Sequence, residues 1–204
     1  MLERTHDDDG ALCGLEAEPA TSAHDELAET AGLVLVREVL QVRCPLPAAD
    51  PAAIDLRSFR PGVDDEAFLA VNNRAFAWHP EQSGWTAAEL RAAEAEPWFD
   101  AEGFLLHERD GRLAGFCWTK AHPATDDDPA LGEIYVIAVD PDFHGFGLGR
   151  ALTLAGLRHL SEQGLRHGML HVESTNTTAR ALYADIGFTA HSSHRWWERP
   201  QVPH

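Results

Sequence analysis

Three glycines at alternate positions, Gly145, Gly147 and Gly149, stand in the stretch VDPDFHGFGLGRALTLAGLRHL, where an apolar run passes into an apolar helix. Glycine bends tightly and lets a ligand approach the main chain without meeting a Cβ. Leu152, Leu154, Ala155 and Leu157 open a helix at that point. Its first amides lack internal acceptors and carry the positive end of the helix dipole. A diphosphate is the natural occupant of such a place. No Lys-Ser/Thr follows the turn, so it is not a nucleotide P-loop. The glycine spacing also departs from the dinucleotide fingerprint, and the turn does not lie in a first βαβ unit.

The net charge is −17, which excludes nucleic acid and anionic membrane as natural partners. An acidic chain can still hold a polyanion when main-chain amides supply the field locally, with Arg150 beside them. No apolar run is long enough to cross a bilayer, and the opening MLERTHDDDGALCG lacks the apolar region of a signal peptide, so a cytoplasmic protein is expected. Cys13, Cys44 and Cys117 are odd in number and far apart, which suggests neither a disulfide framework nor a zinc site. Twelve histidines include no HExxH, and His191 and His194 point to opposite faces of an expected strand, so no metal is expected.

The 204 residues suit one domain with an appendage. Residues 1–30 carry nine acids against one arginine, and 1–23 read as an acidic, disordered leader. Residues 24–53 read as a helix closing on Gly32, a strand, and a Pro/Ala linker. Leu27–Pro45 matches Leu182–Pro200 without gaps at an offset of 155 residues, with the same helix–Gly–strand–Pro order. This suggests that 24–53 hold the remnant of an earlier copy of the domain that follows, 54–204. A leftover strand there exposes an edge, which would cover this domain's own sheet or pair weakly with a second copy.

From Ile54 the pattern is a regular alternation. IDLRSFR reads as a strand, VDDEAFLAVNNRAFA as a helix, and Thr86 with Glu89 as the capping box of another. Asp110-Gly111 joins GFLLHER and RLAGFCWTKAHP as a hairpin. LGEIYVIAVDP and MLHVES read as buried strands on either side of the glycine-started helix. A helix from Asn176 to Ile186, stopped by Gly187, leads to a final strand, FTAHSSHRWWE.

His144–Gly149 resembles the Gln/Arg-x-x-Gly-x-Gly/Ala signature of the GCN5-related N-acetyltransferases, and Asn176, Ala179, Leu182, Tyr183, Gly187 and Phe188 resemble their second cofactor-side motif. The resemblance implies an α/β (α+β) fold with a mixed sheet of six to seven strands flanked by helices, one strand pair splayed around acetyl-CoA. VNNRAFAWHPEQSGWT, EPWFDAEGFLL, GFCWTKAHP and LGEIYVIAVDP resemble a narrower family, the C-terminal catalytic domain of the mycothiol synthases, from about Leu56 to Trp197. These enzymes acetylate the cysteinyl amine of cysteinyl-glucosaminyl-inositol and carry two such domains in tandem.

What the resemblance implies for single residues can be written out. Ile137, Ala138 and Val139, then His144, Gly145, Phe146, Gly147, Leu148, Gly149 and Arg150, would hold acetyl-CoA, as would Asn176, Thr177, Thr178, Ala179, Arg180 and Ala181. His144 and Phe146 depart from the usual Gln/Arg and Arg. Glu133 would take the amine proton and Tyr183 would serve the departing thiolate, with an amide within Ile137–Val139 holding the developing oxyanion. Glu81, Lys120, Glu133 and His171, the last where Tyr is usual, would contact the acceptor, with Asn73 and Trp85 in the pocket wall. An acetyltransferase for another small amine, or a silent acyl-CoA-binding remnant, would use the same cofactor residues.

Overall fold

A computed structural model describes residues 1–6, 10, 12–48, 54–77 and 84–200. Among these, nine strands and five helices follow one another. The first are β1 (Leu2–His6), β2 (Leu12–Ala17), α1 (Ser22–Thr30), β3 (Val34–Pro45) and β4 (Arg57–Ser58). Then come α2 (Asp65–Ala75), α3 (Ala87–Glu94), β5 (Phe104–Arg109), β6 (Arg112–His122) and β7 (Leu131–Val139). A 3-10 turn (Pro141–Phe143) precedes α4 (Leu148–Glu162), and β8 (His167–Glu173), α5 (Thr177–Ile186) and β9 (Thr189–Glu198) complete the chain. The strand count exceeds the expected six to seven because β1, β2 and β3 add to the strands of 54–204. Two compact units are present, one of Met1–Arg43 with Leu170–His204, the other of Cys44–Met169.

In the Cys44–Met169 unit the strand order is β7-β6-β5-β4, antiparallel throughout, with the start of β8 parallel to β7. The hairpin β5–β6 turns on Asp110 and Gly111, both at positive φ (54° and 72°), the pair of left-handed residues that the twist of a two-residue hairpin needs. The strand expected at IDLRSFR shortens to β4, because Arg57 binds Asp64 and Glu108 and Phe59 turns into the core. Burial alone would push the Asp64 carboxyl up, but hydrogen bonds from Arg57 and Arg60 hold it well below the usual range. Alternate residues of β6 face opposite ways. Phe116 and Trp118 join Phe59, Phe68 and Phe104 in an aromatic core, with Phe104 stacked on Trp118 at 4.5 Å. Cys117 faces α4, where Gly156 has no room for a Cβ beside its sulfur. Truncating a buried ring such as Phe68 costs about 3–5 kcal/mol.

The start of β8 runs parallel to β7 at Gly132↔Gly168 and Glu133↔Met169.

In the other unit the order is β1-β2-β9-β3, with the second half of β8 beside β3. Residues 1–23, expected to be a disordered leader, instead hold the antiparallel hairpin β1–β2, and β2 pairs with β9 from Gly14↔Glu198 to Ala17↔Arg195. The acids conceal a period of two. Leu15 and Ala17 enter a core with Ala28, Leu33 and Trp197, while Glu16 meets His194 at 2.7 Å. Asp7, Asp8 and Asp9 lie outside the described residues. β3 is no orphan edge; β9 flanks it on one side and β8 on the other.

The internal match is carried into three dimensions. At the same offset of 155, β2 and β8 begin on Leu12 and His167, α1 and α5 on Ser22 and Thr177, and β3 and β9 on Val34 and Thr189. The two helices close alike. Leu33 N–H reaches Ala28 O at 2.9 Å and Phe188 N–H reaches Tyr183 O at 3.0 Å, past Gly32 (φ 70°) and Gly187 (φ 112°). The β3–β9 ladder is its own image under the exchange. Val34↔Glu198 maps to Arg43↔Thr189, Leu35↔Trp197 to Val42↔Ala190, and Val39↔His194 to itself. Both irregularities, after Leu35 and after Gln41, map onto each other as well. A pseudo-twofold axis therefore passes through the Val39/His194 pair.

Candidate functional site

Chemistry-bearing residues gather at three places, two in the Cys44–Met169 unit and one in the other. The first is the glycine turn. β7 ends at Val139, and the buried Asp140 carboxylate accepts from Asp142 N–H at 2.9 Å. Arg74 of α2 bonds Asp140 and Asp142, each at 3.0 Å, and Arg112 bonds Asp142 at 2.8 Å. Hydrogen bonds from Arg112 and then Arg74 lower the Asp142 pKa. The turn is thus fastened from below by ion pairs. Gly145 (φ 85°) and Gly147 (φ 75°) carry it into α4, and a Cβ at either would meet open space. Conformation, rather than crowding, requires glycine here, and the space beside the turn is free for a ligand. The start of α4 presents the amides of Leu148 and Gly149, which have no acceptor one turn back within the helix.

The departures from the signature have local partners. His144 Nε2 lies 3.1 Å from Val139 O, so the ring closes the turn on the strand. Phe146 is 57% exposed and carries the Arg109 guanidinium 4.1 Å above its ring. Ile137, Ala138 and Val139 form the last rungs of the β6–β7 ladder, opposite Cys117, Phe116 and Gly115.

The second place is the β6–β7 face around Glu133. Lys120 stands directly opposite Glu133 in the ladder. Its ammonium lies over the Trp98 ring at 4.3 Å and the Tyr135 ring at 5.3 Å, a cation–π arrangement. The Glu133 side chain is only 9% exposed, and its Oε2 lies 2.7 Å from His122 Nε2. The Tyr135 hydroxyl is pushed up, first by burial and then by the charges of Glu133 and Glu96. Asn73 and the Trp85 main chain exchange two hydrogen bonds of 2.9 Å, and Trp85 meets Phe68 and Trp118 edge to face. Glu81 lies outside the described residues.

The third place is the start of α5. Asn176 caps it, its side-chain oxygen accepting from Ala179 N–H at 3.1 Å. Thr177, Thr178, Ala179, Arg180 and Ala181 form the first turn and a half, and Arg180 donates back to Ser174 O at 2.7 Å. No residue of α5 is buried. The half-buried Tyr183 ring meets Phe188 edge-on at 5.7 Å. His171, exposed on β8, has its Nε2 3.4 Å from Gln41 Nε2, and Gln41 accepts from Arg43 at 2.7 Å.

Three residues beside Glu133 were not anticipated: His122, Tyr135 and Trp98. The first two carried a readable signal. His122 is two residues beyond Lys120 and Tyr135 two beyond Glu133, so each shares a strand face with an anticipated residue. Trp98 offered no such spacing. Among the described residues no group of three or more His, Cys, Asp or Glu is arranged to hold a metal ion, and no helix is long and apolar enough to cross a membrane.

The Acetyltransferase (GNAT) family model matches residues 71–188. The mycothiol acetyltransferase of Thermomonospora curvata is 48% identical over 89% of this chain and 63% of its own length. That of Geodermatophilus obscurus is 49% identical over 85% of this chain and 59% of its own. The chain spans about six-tenths of the length of these relatives. Among solved structures, a GCN5-related N-acetyltransferase from Sphaerobacter thermophilus superposes with a TM-score of 0.67 at 23% identity, covering 90% of this chain and 59% of that one, a likeness of fold.

Proposed function

The chain belongs to the acetyltransferase (GNAT) family, and from that premise we propose that it transfers an acetyl group from acetyl-CoA to the cysteinyl amine of cysteinyl-glucosaminyl-inositol, the acceptor that the resemblance to the mycothiol synthases implies; its relatives named mycothiol acetyltransferase support the reading. The observation that carries this reading is the glycine turn at the mouth of α4, open beside Gly145 and Gly147 and fastened by Arg74 and Arg112. It suits the diphosphate of coenzyme A. Residues 144–150 would hold that group, Asn176–Ala181 would contact the cofactor as well, and an amide within Ile137–Val139 would hold the developing oxyanion. Acetyl-CoA supplies the activated acyl thioester.

The chain's own side chains manage protons. A peptide-like α-amine has a pKa of about 7.7–8.0, so at neutral pH one proton must leave before attack. Glu133, held on a buried strand face, is assigned that proton. Tyr183 is assigned the departing thiolate, which a phenol can protonate. Glu81, Lys120 and His171 are assigned to the acceptor's polar groups. Residues 24–53, extended back to Leu12 by the repeat, are read as the closing β–α–β of an earlier copy of the domain. His171, exposed where tyrosine is usual, favours a second reading with a different small amine as acceptor.

Purified protein incubated with acetyl-CoA and the cysteinyl pseudodisaccharide should yield free coenzyme A and the N-acetylated product by mass spectrometry. Turnover with other amines but not this one would favour the second reading, and coenzyme A binding without turnover of any amine would overturn both.

A further inference from the structure

We infer that His122 is a positioning residue for acetyl transfer, acting through Glu133; the inference rests on the reading of Glu133 as the group that takes the amine proton. A carboxylate on a strand can turn both of its oxygens about the last side-chain bond. Here one of them is fixed. With its Nε2 protonated, His122 donates to Oε2 across 2.7 Å. The ring itself reaches Glu133 from the neighbouring strand, two residues beyond the opposing Lys120. Fixing Oε2 sets the direction of Oε1, which then meets the acceptor ammonium in one orientation instead of several.

The rest of the cluster explains why the task falls to His122. Lys120 faces Glu133 on β6, but its ammonium lies over Trp98 and Tyr135. Tyr135 follows Glu133 on β7, and Glu96 adds a further negative charge near the Tyr135 hydroxyl. The imidazole lies at hydrogen-bond distance from the carboxylate and its side chain is about one-third exposed, so the buried carboxylate has a partner close to solvent. In the step itself the ammonium N–H bond breaks, the proton passes to Glu133 Oε1, and the nitrogen lone pair is freed for attack on the acyl carbon. His122 keeps its bond to Oε2 throughout, and the proton later leaves to water.

The test is a set of variants at position 122. A charge-assisted hydrogen bond corresponds to about a ten- to hundredfold change in rate. His122→Ala should lose that much kcat while the KM for acetyl-CoA stays unchanged, and free imidazole in the buffer should restore part of it. His122→Gln, which can still donate to Oε2, should recover most of the loss, and His122→Asn, one carbon shorter, should resemble His122→Ala. The inference is overturned if the Ala and Asn variants turn over like the wild type, or if the Gln variant falls as far as Ala. Should the Ala variant fail to melt cooperatively, the Gln and Asn pair decides. Nitrogen-15 NMR of the imidazole separates this from the reading beneath it. A His122 Nε2 signal that moves on Glu133→Gln supports the pairing even if no amine is acetylated; a signal indifferent to that change sinks the pairing even if acetylation proceeds.

Discussion

Helices α1 and α5 are preceded by the caps Thr21 and Asn176, are followed by the left-handed Gly32 and Gly187, and feed strands that pair with each other about a shared axis. Their side chains diverge. Where α5 carries Tyr183, α1 carries Ala28, 1% exposed in a core with Leu15, Leu33 and Trp197. Where α5 opens with Thr177, Thr178 and Arg180 and buries nothing, α1 carries Asp25, Glu26 and Glu29. Asp25 is spent on Arg195 of β9 at 2.8 Å. An acidic first turn repels the diphosphate that a helix start otherwise attracts. The backbone of the two copies is held in common by their mutual ladder, so each depends on the other for its fold. Nothing obliges the two to share chemistry. One copy has closed its helix face into a core, and the other has left it open.

The comparison is broken most severely by removing one copy. Without Met1–Arg43, β9 loses the nine pairs of its ladder with β3, together with its pairing to β2. Unpaired main-chain groups and an apolar edge would be left exposed. The shortened protein should aggregate or lose its cooperative thermal transition. A soluble product with the full-length melting curve would mean that the first copy is an ornament rather than half of a mutual structure.

A smaller effect separates the copies by chemistry. Tyr183→Phe should lower kcat by about a hundredfold, at the low end of what a positioned proton donor contributes, with coenzyme A affinity retained. Ala28→Tyr places the same phenol at the equivalent position. It should gain no activity and should destabilise by about 1–3 kcal/mol, since the site is already filled. Retained turnover in Tyr183→Phe would remove the phenol from the mechanism. An undisturbed melt in Ala28→Tyr would show that the α1 face is as open as that of α5.

What could be read before folding follows the range of each signal. The capping box Thr86/Glu89, the Asp110-Gly111 hairpin and the Asn176 cap are written within a few residues, and each stands where the spacing put it. The glycine turn is local too. β2 was missed because its alternation is four residues deep and lies under a run of acids that composition alone reads as solvated. The place of β3 between β9 and β8 could not be read, since its partners are far away in sequence. The match at offset 155 did show that two alike segments exist; that they pair with each other is a property of the ladder. The face that His122 shares with Lys120 is legible in the spacing, but its reach to Glu133 is again a property of the ladder. The β6–β7 register shifts between Trp118 and Thr119, and a shift of one residue decides which side chain reaches Glu133.

The finest test of likeness lies at the two glycines that end α1 and α5. Both hold positive φ, 70° at Gly32 and 112° at Gly187, and a Cβ at either would meet no neighbour. Alanine there would be penalised by conformation alone, by about 1 kcal/mol at each site. If the copies are alike in backbone energetics as well as in outline, Gly32→Ala and Gly187→Ala should shift the urea midpoint by similar amounts without altering the slope. Gly187 lies farther from the ideal left-handed region, near 57°, so its variant should carry the slightly larger penalty. A Gly32→Ala variant as stable as the parent, beside a destabilised Gly187→Ala, would show that the end of α1 can relax where that of α5 cannot, and the axis through Val39 and His194 would then relate two shapes without relating their strengths.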